Sequence, residues 1–229
     1  MLEDPPVLTV KRPNRRPTRA QIDAFKDAMT GNLADTMDGR GAMDCAIKPH
    51  DPTVAVVCGP ALTCFAYPAD NLGLIAALHL AQSGDVIVCA NDNYSATALV
   101  GDLVVGMMKN KGIAALVTDG MIRDQVGIEP WKLPIFSQGI TPNSPARTGP
   151  GTVGFPVTVG GVQVETGDMI VCDRDGVVVV PFERIDDVAK KLSAIKSAEA
   201  DAETAVKAGM MEPEYIAELM ASDRTRYVD

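Results

Sequence analysis

Between residues 70 and 119 the chain switches repeatedly between two hydrophobic periods, and glycine marks most of the switches. That punctuation restricts the fold more than any other feature. DNLGLIAALHLAQSG (70–84) spaces its apolar residues as a helix does, with Asp70 or Asn71 as N-cap and Gly84 as stop. DVIVCA (85–90) is a short apolar run of the kind that forms a buried strand. A second helix is predicted from about Gly101 to Lys111, stopped by Gly112, and IAALVTD (113–119) is the strand after it. Helices and strands alternating at these lengths define an α/β chain built of βαβ units.

The flanks fill in around that centre. Thr18 caps a first helix, Gln21 completes a capping-box pattern, and Gly31 is its predicted stop. TVAVVCGPALTCFA (53–66) is apolar and β-branched, and Gly59-Pro60 divides it into two short strands around a turn. A strand and a Pro/Gly-rich loop occupy 131–151, and a β-rich block follows at 157–181. Within it GDMIVC (167–172) echoes GDVIVC (84–89), one turn-and-strand solution used twice. A long polar helix runs from Pro181 to Gly209, and an amphipathic one fills 213–221. The chain thus reads as one α/β domain over residues 1–229, layered α/β/β/α around a central sheet. It has an N-terminal arm (1–17) and C-terminal helices (182–229). Those helices carry few core residues per turn, which suits them to cover a neighbouring subunit as well as their own sheet.

Composition narrows the function. No apolar run approaches the roughly 20 residues that span a bilayer, and the first residues lack the apolar stretch of a signal peptide. Five cysteines without CxxC spacing fit a reducing cytoplasm. A net charge of −9 argues against a broad nucleic-acid-binding face. The one basic cluster, Lys11, Arg12, Arg15 and Arg16, reads as a solvated or subunit-wrapping arm. With only two histidines, far apart, any bound metal should be a hard cation held by carboxylates.

The stretch GDLVVGMMKNKGIAALVTDGMIRD (101–124) then poses a geometric question, because Asp102 and Arg123 have 20 residues between them. A ten-residue helix climbs about 15 Å. A strand of five or six residues returns about 17–20 Å. Asp102 and Arg123-Asp124 should therefore meet at the carboxyl edge of the sheet, where α/β proteins bind ligands. Gly101 permits a close approach, and the amides of Leu103 and Val104 in the first helical turn can receive a carboxylate. Arg123 can fork onto an oxygen of the same ligand, and Asp124 can hold a divalent cation. The plainer alternative is that Asp102 only caps its helix while Arg123-Asp124 forms a local ion pair in a surface turn.

These residues, with GPALT and SGDVIVC before them and GDMIVCDRDGVVVVP after, resemble the class II pyruvate aldolases. Those enzymes cleave 4-hydroxy-4-methyl-2-oxoglutarate and 4-carboxy-4-hydroxy-2-oxoadipate, and they share their fold with the regulator of ribonuclease E activity. The resemblance covers about residues 20–229. It implies that Asp102 positions a water for proton transfer, that the Leu103 and Val104 amides bind the pyruvyl carboxylate, and that Arg123 contacts the oxygen that becomes the enolate. It implies Asp124 as anchor of Mg²⁺ or Mn²⁺, with Glu199 as candidate for the glutamate that a neighbouring subunit's C-terminal helix supplies. Homotrimers or dimers of trimers, a small 2-oxo acid substrate and oxaloacetate decarboxylation are implied as well. The regulators lack an acid at the position of Asp124 and the Gly-Asp of 101–102, so their presence here favours an enzyme over a non-catalytic protein-binding regulator. Arg147, in NSPARTG, is placed to meet a distal substrate carboxylate, and the Pro/Arg-rich N-terminus departs from the family pattern.

Overall fold

Strand β1 (Leu8–Val10) leads to helices α1 (Arg19–Asp23) and α2 (Thr30–Thr36), then to β2 (Lys48–Pro49) and β3 (Val57–Ala66). The middle of this computed structural model, which describes residues 6–228, is α3 (Leu72–Leu80), β4 (Val86–Ala90), β5 (Ala98–Val100), α4 (Asp102–Lys111) and β6 (Ala115–Thr118). Then come β7 (Met121–Ile122), α5 (Gln125–Ile128), β8 (Ile135–Ser137), β9 (Gly139–Ile140) and β10 (Gly151–Val153). Strands β11 (Val157–Val159), β12 (Val162–Val164), β13 (Met169–Cys172) and β14 (Val177–Val180) precede α6 (Ile185–Lys207) and α7 (Glu214–Met220). The chain divides into two units, one ending at Leu192 and one beginning at Ser193. No helix among the described residues is long and apolar enough to cross a membrane.

In the first unit β3, β4, β6 and β8 form the parallel heart of the main sheet, with β10 and β1 beyond β3. The layers follow from side-chain alternation. On β4, Ile87 and Cys89 pack under α3 and α4, while Val86, Val88 and Ala90 face the opposite way. That second face meets Ile170, Cys172, Val177 and Val179 of β13 and β14. Their other face, Met169, Val171, Val178 and Val180, packs on Phe25, Leu33 and the start of α6. The order is helix, sheet, sheet, helix.

Two expected features differ. Gly31 does not stop a helix but lies in the first turn of α2, after α1 has ended at Asp23. The buried carboxylate of Asp173 starts α2 there, accepting from the amide (2.8 Å) and hydroxyl (2.7 Å) of Thr30. Likewise Gly59-Pro60 is no turn: β3 runs through it unbroken and changes partner. Val57–Pro60 pairs antiparallel with β13, and Ala61–Phe65 pairs parallel with β4. Gly59 is required because a Cβ there would stand 2.3 Å from the Gly84 carbonyl oxygen.

The echoed Gly-Asp turns are built alike. Gly84 and Gly167 both have positive φ (86° and 98°), and the following acids, Asp85 and Asp168, are buried. Asp85 accepts from the Gln82 amide at 2.7 Å and Asp168 from the Glu165 amide at 2.8 Å. The arm ties to both through Arg15 and Arg16, so this part of it folds onto its own chain, while Lys11 and Arg12 stay exposed as the solvated reading expects. Arg16 bonds Asp85, and Arg15 reaches Asp168 (3.2 Å) and Glu165 (2.9 Å) with its guanidinium 5.2 Å from the Phe182 ring.

Candidate active site

Strand β5 pairs in parallel with β7, Ala98 beside Met121 and Val100 beside Ile122, and the Arg123 amide donates to the Val100 carbonyl at 3.0 Å. This pairing delivers Gly101-Asp102 and Arg123-Asp124 to the same place. Gly112, at φ 78°, closes the far end of α4 beside Lys109 and Lys111. Two glycines let the segments interlock. A Cβ at Gly101 would lie 2.2 Å from Asp124 Oδ2, and one at Gly127 would lie 2.6 Å from Asp102 Oδ2. Each aspartate therefore abuts the other segment's glycine. Asp124 is the N-cap of α5 in the left-handed region (φ 60°, ψ 43°), which aspartate tolerates better than most residues.

The cleft they border, about 40 Å³, is lined by Asn71, Gly101, Asp102, Leu103, Val104, Arg123, Asp124, Pro145 and Arg147. Arg123 Nη1 donates to Ser144 Oγ. Its Nε lies 3.2 Å from Asp124 Oδ2 without hydrogen-bond geometry, so a buried donor has no partner. Asn71, 2% exposed, donates through Nδ2 to the Leu99 carbonyl at 3.0 Å, and its Oδ1 is likewise unpartnered. Larger hollows exist, such as one of about 220 Å³ beneath the arm at Asn14, Arg15 and Arg16, but neither orphaned atom lines it. Buried polar atoms without hydrogen-bond partners are costly, and two in one small cleft leave room there for a water, an ion or a ligand to satisfy them.

Asp102 Oδ1 accepts the Leu103 amide at 2.7 Å, so one of the two amides expected to face a carboxylate is taken by the helix's own acid. The Val104 amide precedes the first intrahelical bond, Val105 to Gly101 (3.1 Å), and remains at the positive helix end. Glu199 is not in this group; it is exposed on α6, in the second unit. The loop bearing Pro145 and Arg147 is held by Asp70, whose Oδ2 accepts from the amides of Thr148 (2.6 Å) and Gly149 (2.9 Å). Burial acts to raise the Asp70 carboxyl, but the amides of Leu72, Thr148 and Gly149 outweigh it and hold the group below its ordinary value.

No group of three or more His, Cys, Asp or Glu that could hold a metal exists among the described residues. Asp124 nevertheless offers one hard carboxylate, 40% exposed, over a glycine that leaves space where a Cβ would collide. A single carboxylate suits Mg²⁺ or Mn²⁺ that keeps several of its waters, so the residues fit such an ion.

Fold and cleft together define an α/β protein with a small polar cleft where the paired strands β5 and β7 end. The chain belongs to the RraA-like Aldolase/RraA family, whose model matches residues 30–179. It is 36% identical over 197 residues to a Halalkalibacterium halodurans protein named "Putative 4-hydroxy-4-methyl-2-oxoglutarate aldolase", covering 85% of this chain and 93% of that one. Among solved structures, an uncharacterized Pseudomonas syringae protein superposes with a TM-score of 0.77 at 25% identity, covering 86% and 92% of the two chains. Streptomyces coelicolor RraAS2, described as an unusual member of the RNase ES inhibitor RraA family, does so at 0.74 and 29%, covering 83% and 99%.

Proposed function

We propose that this protein is a divalent-metal-dependent carbon–carbon lyase that cleaves a 4-hydroxy-2-oxo acid to pyruvate and a second keto acid. The observation that carries the reading is the cleft in which Arg123, with its orphaned Nε, and Asp124 face the start of α4. The similarity to the H. halodurans protein supports it. Mg²⁺ or Mn²⁺ would be held by Asp124 and water, with Glu199 of a neighbouring chain as a further ligand, and would supply positive charge that favours enolate formation. The helix end at Val104 receives the substrate's 1-carboxylate. Arg123 directs its guanidinium at the 2-keto oxygen and stabilises the negative charge that develops there. A water held by Asp102 takes the 4-hydroxyl proton as the C3–C4 bond breaks, the 4-hydroxyl carbon becomes the carbonyl of the second keto acid, and the electron pair passes into the pyruvate enolate. The same water returns a proton to C3. Loss of CO₂ from oxaloacetate yields the same enolate, so decarboxylation is a second activity of one site. Arg147, exposed at the cleft mouth, meets a distal carboxylate.

Lys109 and Lys111 lie in the last turn of α4, the end away from the cleft, which fits a mechanism without a lysine imine. The test is oxaloacetate decarboxylation by the purified protein. EDTA should abolish it, Mg²⁺ or Mn²⁺ should restore it, and borohydride with pyruvate should leave the protein mass unchanged. Activity indifferent to EDTA, or a covalent pyruvyl adduct, refutes the reading. The likeness to RraAS2 supports a second reading, a non-catalytic protein-binding regulator, and no pyruvate release from any tested 2-oxo acid would favour it.

A further inference from the structure

The loop that brings Pro145 and Arg147 to the cleft mouth is irregular from Thr141 to Pro150, apart from a bridge between Ala146 and Asp70. Its end runs directly into β10. The outer neighbour of β10 is β1 of the arm, in parallel register from Leu8 beside Gly151 to Val10 beside Val153. Gly151 donates its amide to the Val7 carbonyl at 3.0 Å, and the Lys11 amide donates to Val153 at 2.8 Å. Val7 also lies against the loop itself, because a Cβ at Gly149 would stand 2.6 Å from the Val7 oxygen and 3.1 Å from its Cγ1. The loop thus has two anchors that converge on Gly149: Asp70 on one side and the arm on the other. Beyond Lys11 the arm is fixed by Arg15 on Asp168 and Arg16 on Asp85.

We infer that the N-terminal arm is a positioning element for the Arg147 loop and sets the site's preference for substrates with a distal carboxylate. This rests on the lyase reading and on the role given there to Arg147. An exposed arginine on an irregular loop grips an anion well only when its backbone is held, since otherwise binding must first order the loop. The pyruvyl end of the site is assembled differently, by β5 pairing with β7 and by the start of α4. Loss of the arm should therefore loosen one end of the site and spare the other.

Two variants separate the ends. Val7 and Lys11 both turn backbone groups to β10, and strand alternation puts Thr9 in the same phase, so Thr9→Pro removes a donor from this pairing. A chain lacking its first ten residues removes β1 altogether. Two reactions and one physical probe are read for each. Cleavage of 4-hydroxy-4-methyl-2-oxoglutarate engages Arg147. Deuterium exchange at C3 of pyruvate, followed by NMR, needs only the pyruvyl end. Amide hydrogen exchange over residues 148–153 reports the loop anchor without reference to activity. Both variants should raise KM for the dicarboxylate about tenfold, the factor corresponding to 1.4 kcal/mol. Pyruvate exchange should be unchanged, and amide exchange over 148–153 should quicken. Unaltered amide exchange in both variants overturns the proposal, as does a KM that stays put or a parallel loss of both reactions in Thr9→Pro. If the unmodified protein processes neither compound, the lyase reading fails, while amide exchange still decides whether the arm holds the loop.

Discussion

Gly101 controls the cleft through what it lacks. A methyl group there would lie 2.2 Å from Asp124 Oδ2 and 3.1 Å from Arg123 Nε, so alanine must displace both charged groups. Its backbone is extended (φ −125°, ψ −172°), a conformation alanine adopts without strain. Gly101→Ala is therefore expected to fold, with thermal unfolding near that of the parent, yet lose about 10²-fold in kcat from displaced groups. Normal turnover would separate Asp124 and Arg123 from the chemistry. Arg123→Lys should cost on the order of 10²-fold in kcat as well, because a point charge cannot reproduce a planar fork; retention of activity would reassign the enolate contact. Asp102, Arg123 and Asp124 were legible from sequence because a helix of known rise and a strand of known rise nearly cancel. Asn71 was not. It reads as a helix cap, and its orphaned oxygen arises only because Nδ2 is taken by Leu99, 28 residues away and on β5. Gly127 and Ser144 were missed for the same reason, since their relevance depends on contacts across segments.

Elements bounded by local chemistry matched the sequence reading closely. The capping box of Thr18 and Gln21 and the left-handed Gly112 sit where expected, because each satisfies backbone groups within a few residues. Gly59-Pro60 and Gly31 misled because their roles are set from afar, by Gly84 pressing on β3 and by Asp173 starting α2. Asp70 is the clearest case of an element held by one side chain. Asp70→Asn leaves a neutral acceptor for the amides of Thr148 and Gly149 and should cost about 1–3 kcal/mol at pH 7, measured by denaturant unfolding. The pH dependence follows from the lowered carboxyl. The unfolded chain takes up its proton near the ordinary value of 3.8, before the folded one does. Stability from Asp70 is thus fully present above that value and is lost as pH falls through the lower folded value. The gap between parent and Asn variant should narrow below pH 3.8. A constant gap from pH 7 down to pH 3 would remove Asp70 as the charged anchor of the loop.

At the scale of the whole molecule, both units carry exposed apolar side chains: Leu103, Met107 and Val126 in the first, Met211, Tyr215 and Met220 in the second. Composition cannot tell what covers them, because an interface between chains is written in no single segment. Family resemblance supplies the expectation of trimers in which Glu199 serves a neighbour's site, and that expectation has an arithmetic consequence. Take Asp124→Ala and Glu199→Ala proteins, each inactive alone, and let them exchange subunits at equal amounts. If every site lay within one chain, each chain would still lack one residue and no activity could return. If each site joins Asp124 of one chain to Glu199 of the next, random mixing makes about a quarter of the sites complete. Oxaloacetate decarboxylation after co-refolding, with mixed oligomers proven by mass, should therefore recover toward about a quarter of the parent rate. Mixed oligomers without activity would put Asp124 and Glu199 in the site of one and the same chain, whereas a Glu199→Ala protein that is active by itself would place Glu199 outside the site.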